Sequence, residues 1–467
     1  MSTYQLPLKF SHTVFRTYDI RGAVEESGIT PDLAYAIGRA IGADAQACNQ
    51  TTVIVGRDGR LSGPVLMPAL QAGLLEAGCD VVDIGIVSSP VLYFATKHLP
   101  YQTGVMLTAS HNPGHHNGFK TVLNGKTLCT AGVQRLKERI IAQDLPARSP
   151  GSCSEQSVTA DYMKAITTGV ELARPLKVVV DSGNGTAGPF APEIYRQLGC
   201  EVISLFEEVD GHFPNHHPDP TIPANLVDIQ KAVVEQQADV GLAFDGDADR
   251  LGVVTNSGQV IWPDRQMMLF AQSILANVPE APIVYDVKCS NQLARVIKDN
   301  AGRPIMSRTG HSLLKQRMID ENAPLAGEMS GHIFFNDGRW LGFDDGVYVG
   351  ARLLEILAAT NLTTDQVFAE LPCPAFTPEL ILPMPEERKQ SFMQSLLEAP
   401  ELKDAERITI DGLRVEWPDG WGLVRPSNTA AYLTMRFEGI DQQVLERIKE
   451  RFRQVLLSID AELDLPF

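Results

Sequence analysis

Three aspartates at i, i+2 and i+4, Asp245, Asp247 and Asp249, are separated only by Gly246 and Ala248 and are followed by Arg250. Small spacers let three carboxylates converge on one hard cation, and oxygen donors suit Mg²⁺ or Ca²⁺. An EF-hand is excluded, because its sixth and twelfth positions need glycine and glutamate and here hold Arg250 and Asn256. The ordinary alternative is a solvated acidic turn. Adjacent uncompensated carboxylates repel one another, however, and that repulsion calls for a cation. An arginine beside such a cation suits an anionic group placed there.

A second segment is Thr108-Ala109-Ser110-His111-Asn112-Pro113, after the strand-like TGVMLTA. A serine on a turn next to a histidine can act as a nucleophile, although no G-x-S-x-G elbow surrounds it. Taken alone, such a segment is more often only a turn. Basic residues form a third group: Arg16 and Arg21 flank FRTYDIRG, Lys120 follows the serine loop, and Lys288 sits in YDVKCS. Arg425-Pro426-Ser427-Asn428-Thr429 joins a guanidinium, two hydroxyls, an amide and turn N–H groups, the donors a phosphate dianion wants. Gly327-Glu328-Met329-Ser330-Gly331-His332 can present alternating hydrogen-bond partners to a polyol, and a structural turn explains it equally well.

The elements that must position these groups alternate strand and helix. TTVIVGRDGR, PVLMPALQAGLLEAG and DVVDIG read as strand, helix and strand. The pattern returns at LKVVVDSGNG and again at APIVYDVKCS, which predicts three related α/β domains. Candidate linkers lie near residues 144–157, 255–264 and, rich in proline, 370–387. Beyond the last, one helix, a strand pair and the closing QQVLERIKERFRQVLLSI read as α+β. The expected domains are residues 1–155, 156–257, 258–371 and 372–467.

A net charge of −17 argues against nucleic acid as the main partner, since phosphate backbones select basic surfaces. Seven scattered cysteines form no C-x-x-C pair and their odd number precludes a complete disulfide framework, so a reducing compartment is expected. The absence of a signal-like start and of any long apolar run predicts a cytoplasmic chain without a membrane span. Two look-alikes are set aside. KTVLNGKT has Lys120 where a Walker A loop needs its first glycine, and the proline-rich GHFPNHHPDP, with His212, His216 and His217, reads as an irregular loop rather than a zinc site.

Taken in order, YDIRG, TASHNPGHHNGFK, DGDADR, GEMSGH and RPSNTA resemble the α-D-phosphohexomutase superfamily over essentially the whole chain, in its bacterial phosphomannomutase/phosphoglucomutase branch. The resemblance implies an α/β protein of four domains around a central cleft: three related mixed-sheet domains and a C-terminal α+β domain of TATA-binding-protein-like fold. It implies that Ser110 carries a phosphoryl group and that Asp245, Asp247 and Asp249 hold Mg²⁺ together with an oxygen of phosphorylated Ser110. Arg250 would lie beside that site, with His111, Lys120 and His332 as candidates for the base. Glu328 and Ser330 match sugar-hydroxyl contacts, and His332 follows in the same loop. Arg425, Ser427, Asn428 and Thr429 match a clamp for the non-transferring phosphate. Tyr18, Arg21, Lys288 and His311 match other substrate-binding positions.

The implied reaction interconverts hexose 1-phosphate and hexose 6-phosphate of mannose or glucose. Glucose 1,6-bisphosphate or its mannose equivalent serves as intermediate and activator, and the expected enzyme is a monomer. A glucosamine-phosphate mutase, a metal-dependent sugar phosphatase and a non-catalytic sugar-phosphate-binding protein are the alternatives. Two departures stand out: Ala248 where many members have glycine, and Pro426 where others often have alanine. The proline-rich junction near 370–387 also suggests a C-terminal domain able to swing.

Overall fold

The computed structural model describes residues 4–7, 9–427 and 431–467. It divides into two compact units, Met1–Pro263 with Ser330–Phe368, and Asp264–Met329 with Ala369–Phe467.

The first unit holds two mixed sheets. One runs in the order Ile20–Ala23, His116–Leu123, Gly104–Leu107, Thr52–Arg57, Asp80–Ile86, Cys153–Glu155, with Lys126–Thr127 paired to His116–Leu123. Its Val53, Val55, Val105 and Leu107 side chains pack into a core with the helices Pro31–Ala47 and Gly63–Glu76. The other sheet runs Val260–Ile261, Leu251–Thr255, Val240–Phe244, Lys177–Asp181, Glu201–Leu205. Its parallel strands Lys177–Asp181 and Val240–Phe244 are buried almost throughout, as their unbroken apolar runs require when helices cover both faces. Helix Val227–Glu235 packs against these two strands, and helix Gly346–Ala358 packs against Val240–Phe244 and Leu251–Thr255. Residues Ser330–Phe368 thus fold back onto the first unit.

One local reading changes in the structure. The stretch near 144–157, expected as a linker, contributes Cys153–Glu155 as a parallel edge strand against Asp80–Ile86. All three of its residues are exposed, so backbone pairing alone makes the strand and its side chains carry no apolar signal. KTVLNGKT, set aside above as a phosphate cradle, is a two-residue hairpin turn in which Leu123 pairs with Lys126 around Asn124 (φ 49°) and Gly125 (φ 75°).

In the second unit, Pro282–Asp286 lies between Arg303–Ser307 and Leu325–Gly327, all parallel. An antiparallel sheet follows in the order Ala375–Phe376, Tyr432–Gly439, Gly420–Pro426, Leu413–Trp417, Glu406–Ile408, and Leu380–Pro383 also pairs with Tyr432–Gly439. Helices Glu386–Glu398 and Gln442–Ile459 bury Phe392, Leu396, Ile448 and Phe452 with its Leu413, Val424, Met435 and Phe437. Buried cations join this α+β segment to residues 264–329. Arg414 donates to Val287 O (2.5 Å) and Cys289 O (2.7 Å) and stacks 3.7 Å over Trp421, while Arg436 pairs with Asp264 at 2.9 Å. These contacts lie within the second compact unit, which includes 264–329.

Asp345 caps the helix Gly346–Ala358 through Tyr348 N (3.0 Å) and also accepts from the Tyr162 hydroxyl (3.0 Å). Burial pushes its carboxyl up to about 7 against those donors. The unfolded acid ionises near pH 3.9, so folding takes up a proton between those values and this group's contribution to stability falls as pH rises from about 4 to about 7. Thermal melts at pH 4 and pH 8 are expected to show Asp345→Asn gaining on the wild type at the higher pH. An unchanged difference in Tm between the two would contradict burial as the dominant effect.

Candidate active site

The acidic triplet occupies the connection between antiparallel strands Val240–Phe244 and Leu251–Thr255, where Phe244 pairs with Leu251. The chain closes on itself there: Asp245 Oδ1 accepts from Asp249 N (3.1 Å) and Arg250 N (3.2 Å), and Ala248 takes φ 59°. Ala248 therefore stands at a position that glycine would occupy without the Cβ penalty, roughly 1 kcal/mol, which gives physical content to the departure noted at this residue. Asp245, Asp247 and Asp249 are fully buried, with one oxygen of each within 4.8 Å of the others.

Ser110 arrives from the neighbouring sheet. Strand Gly104–Leu107 ends before it, the chain turns through Ser110 at φ 52°, and returns as His116–Leu123. Ser110 Oγ donates to Asp245 Oδ2 at 2.5 Å and lies 3.0 Å from His111 Nδ1. A Cβ on Gly246 would stand 2.6 Å from Ser110 O, so the two loops meet at a distance that only glycine permits. Antiparallel register sets Lys120 opposite Met106, and its Nζ donates to Asp247 Oδ2 (2.6 Å) and Asp249 Oδ2 (2.5 Å). Arg21 donates to Asn112 Oδ1 (2.8 Å) and Ala109 O (3.3 Å) in the serine loop.

Electrostatics follow from this packing. Burial, then Asp249 and Asp247, push the Asp245 carboxyl well above the usual range. Burial would raise Asp247 too, but Lys120 outweighs it and holds that carboxyl low. Burial opposes the Lys120 ammonium, and Asp247 and Asp249 more than offset it, so its pKa lies well above the usual lysine value. Burial, with Arg250 and Arg21 nearby, holds the His111 imidazole well below the usual value and therefore neutral. His332 Nε2 accepts from Arg250 Nε (3.0 Å), while its Nδ1 faces Asp344 Oδ2 (3.0 Å) and Asp249 Oδ1 (3.4 Å). Arg250 Nε lies 3.8 Å from Asp245 Oδ2.

The donor set fits a hard divalent cation. All three ligands are carboxylates, and Asp247 Oδ1 and Asp249 Oδ1 are buried without a hydrogen-bond partner. The three histidines of the 211–220 loop make no metal-ligating cluster among the described residues. His216 pairs instead with Asp181 (3.0 Å), and His217 Nε2 contacts His111 O.

The second unit gathers another set. Glu328 Oε1 accepts from Gly310 N (2.7 Å) at the start of helix His311–Asp320, where His311 is buried. Arg425 Nε donates to Asp411 Oδ2 (3.1 Å), whose carboxylate also accepts from Thr309 N (3.0 Å). Ser427 O accepts from Lys389 (2.8 Å), and Lys288 pairs with Glu379 (2.8 Å). Tyr18 and Ser330 are half-buried in the first unit, and Asn428 and Thr429 lie outside the described residues.

Several site residues escaped the sequence reading. Ser89 donates to Asp247 Oδ2 (2.5 Å) from the first turn of helix Ser89–His98, and its serine-serine-proline context signals only a helix start. Asp58 and Arg60 brace the serine loop together with Thr108 of the TASHNP segment, and the only signal for Asp58 and Arg60 was a charged turn after the strand TTVIVGR. Asp344 in GFDDG gave no signal for its contact with His332.

Among the described residues, four sheets and a buried serine turned onto an acidic triplet define a multidomain α/β protein with a serine–carboxylate centre. The sequence matches four domain families in succession. Phosphoglucomutase/phosphomannomutase alpha/beta/alpha domains I, II and III match at residues 12–146, 160–258 and 262–374, and the C-terminal domain at 379–455. It is 49% identical over 467 residues, the full length of both chains, to the phosphomannomutase/phosphoglucomutase of Pseudomonas aeruginosa. It is also 49% identical over 449 residues to the phosphoglucomutase of Neisseria gonorrhoeae, covering 95% of this chain and 97% of that one. The crystal structure of a phosphoglucomutase/phosphomannomutase family protein from Burkholderia thailandensis superposes with a TM-score of 0.93 at 46% identity, covering 98% of this chain and 100% of that one. The chain belongs to the phosphoglucomutase/phosphomannomutase family of the α-D-phosphohexomutase superfamily, and its fold is the four-domain α/β fold of that family. Among the described residues no helix is long and apolar enough to cross a membrane.

Removing the Lys120 ammonium leaves the carboxylates without their internal counter-charge. Lys120→Met is expected to lower the Tm of metal-free protein, and added Mg²⁺ is expected to raise Tm more in the variant than in the wild type. A smaller gain in the variant would show that Lys120 does not offset the triplet.

Proposed function

We propose that this chain interconverts hexose 1-phosphate and hexose 6-phosphate, with mannose and/or glucose as the sugar, through phosphorylated Ser110 and a hexose 1,6-bisphosphate. The observation that carries this reading is Ser110 Oγ, in a left-handed turn, 2.5 Å from Asp245 Oδ2 of the acidic triplet, in a chain that matches mutase relatives end to end. Those relatives carry mutase names, which does not favour a phosphatase, a binding protein or a glucosamine-specific enzyme.

Asp245, Asp247 and Asp249, with an oxygen of phosphorylated Ser110, would hold Mg²⁺ in this reading. The ion would supply positive charge against the transferring phosphoryl group, the main requirement of phosphoryl transfer. Arg250, fixed by His332 at 3.0 Å, presents a second positive charge beside Asp245. The base must accept a proton from the attacking sugar hydroxyl. Lys120 is held charged by two carboxylates, and His332 is engaged at both ring nitrogens. His111, held neutral beside Ser110 Oγ, is the candidate these contacts favour. Glu328 and Ser330 would contact sugar hydroxyls, with Tyr18, Arg21, Lys288, His311 and His332 as further substrate contacts. Arg425, Ser427, Asn428 and Thr429 would grip the phosphate that is not being transferred. Transfer from Ser110 to the free hydroxyl gives the bisphosphate, and return of its other phosphate to Ser110 completes the exchange.

Intact mass and coupled assays on glucose 1-phosphate and mannose 1-phosphate test this reading. Ser110→Ala is expected to lose the extra phosphoryl mass and to turn over orders of magnitude more slowly, while Arg425→Ala raises KM more than it lowers kcat. Near-wild-type turnover by the serine variant would remove Ser110 from the chemistry. A base whose pKa lies below 6.5 gives a rate that is lost as pH falls through that value. The acid limb of kcat is therefore expected below pH 6.5 and absent in His111→Gln. A variant that keeps the limb and the rate would reassign the base.

A further inference from the structure

We propose that Arg60, acting with Asp58 and Thr108, is the positioning residue that locks Ser110 in its left-handed turn and so fixes where the phosphoryl carrier points. This rests on the reading of Ser110 as that carrier. Nothing in the reaction scheme above uses these three residues. Yet they form a buried polar network directly behind the serine loop.

Arg60 follows the strand Thr52–Arg57 and its side chain is fully buried. Its guanidinium makes five donor contacts, one for each N–H it carries. Nε donates to Asp58 Oδ2 (3.1 Å), one terminal nitrogen to Pro113 O (2.7 Å) and His116 O (3.0 Å), and the other to Ser110 O and Asn112 O (both 2.6 Å). The ring of Phe213 lies 5.6 Å from the guanidinium carbon. Asp58 in turn accepts from the Thr108 hydroxyl (2.7 Å), which accepts from Ser110 N (2.9 Å). One connected set therefore grips both the N–H and the C=O of Ser110.

That matters because Ser110 sits at φ 52°, a conformation that a serine abandons unless its surroundings over-determine it. Four loop carbonyls converge on one planar cation, a geometry that a lysine, with three donors on a single nitrogen, does not reproduce. The serine must present its oxygen at the same place in both half-reactions. A fork braced at residues 110, 112, 113 and 116 supplies that constancy from the backbone, outside the reacting atoms.

The experiment compares Arg60→Lys, Thr108→Val, Thr108→Ser and Ser110→Ala in the full chain, reading Tm, phosphoserine content by intact mass, and kcat and KM separately. Arg60→Lys and Thr108→Val are expected to stay folded and to lose about 10²-fold in kcat, the scale of a small misplacement of a reacting group, with KM changed less than about 3-fold. Thr108→Ser keeps the hydroxyl and is expected to restore kcat to within about 5-fold of wild type, whereas a purely space-filling threonine would be mimicked best by valine. If Arg60→Lys does not fold, the valine and serine pair decides. The inference is overturned if Thr108→Val retains wild-type kcat, or if serine fails to rescue. An inactive Ser110→Ala beside an active Thr108→Val overturns this inference alone, and an active Ser110→Ala overturns the reading of Ser110 itself.

Discussion

Three carboxylates buried within 4.8 Å of one another repel, and the polar groups packed around them answer that repulsion. Backbone N–H groups of Asp249 and Arg250 take one oxygen of Asp245, the Ser110 hydroxyl takes the other, and Ser89 and Lys120 take Asp247. Two oxygens remain without hydrogen bonds, on Asp247 and Asp249, in a group of carboxylates that could hold a divalent cation. The triplet needs partners from a second sheet to exist at all, and that need brings Ser110 and Lys120 to it. Because Gly104–Leu107 and His116–Leu123 are antiparallel neighbours, a single hairpin delivers a hydroxyl and an ammonium to the same cluster.

The charges are layered. Closest to the triplet stand groups that can interact with a phosphoryl group: Ser110, Lys120 and Arg250. Behind them stand groups that brace them: His332 contacts Arg250 with Asp344 behind it, and Arg60 holds the serine loop with Asp58 behind it. Each outer cation or imidazole has its own carboxylate, so the burial penalty of the positive group is offset locally and its orientation is fixed.

The second unit uses the same device on other elements. Arg425 is paired with Asp411, whose carboxylate also takes the N–H of Thr309, and Lys288 is paired with Glu379. These cations are held in place by carboxylates. Arg414 and Arg436 are committed to structure, one to backbone carbonyls with a tryptophan face and the other to Asp264. Residue type alone does not separate the two kinds of arginine.

By itself the sequence determined the alternation of strands and helices, the α/β character, the acidic triplet as a candidate cation site and the motif order that marks the family. Each of these is written in local spacing: unbroken apolar runs for covered strands, carboxylates two apart, and turn residues after a strand. It also excluded the Walker-like KTVLNGKT, because Lys120 stands where that loop needs its first glycine. Tertiary structure alone decided what pairs across the chain. Arg60 reaches 50 residues forward to Ser110, Ser89 reaches Asp247, and helix Gly346–Ala358 returns to cover the second sheet. An arginine in a turn looks like a surface charge until the fold wraps carbonyls around it. Likewise, an exposed edge strand such as Cys153–Glu155 has no apolar period to announce it. Pairing over such separations depends on which sheet edges and loops the packed cores bring together, and no local pattern of residues encodes that.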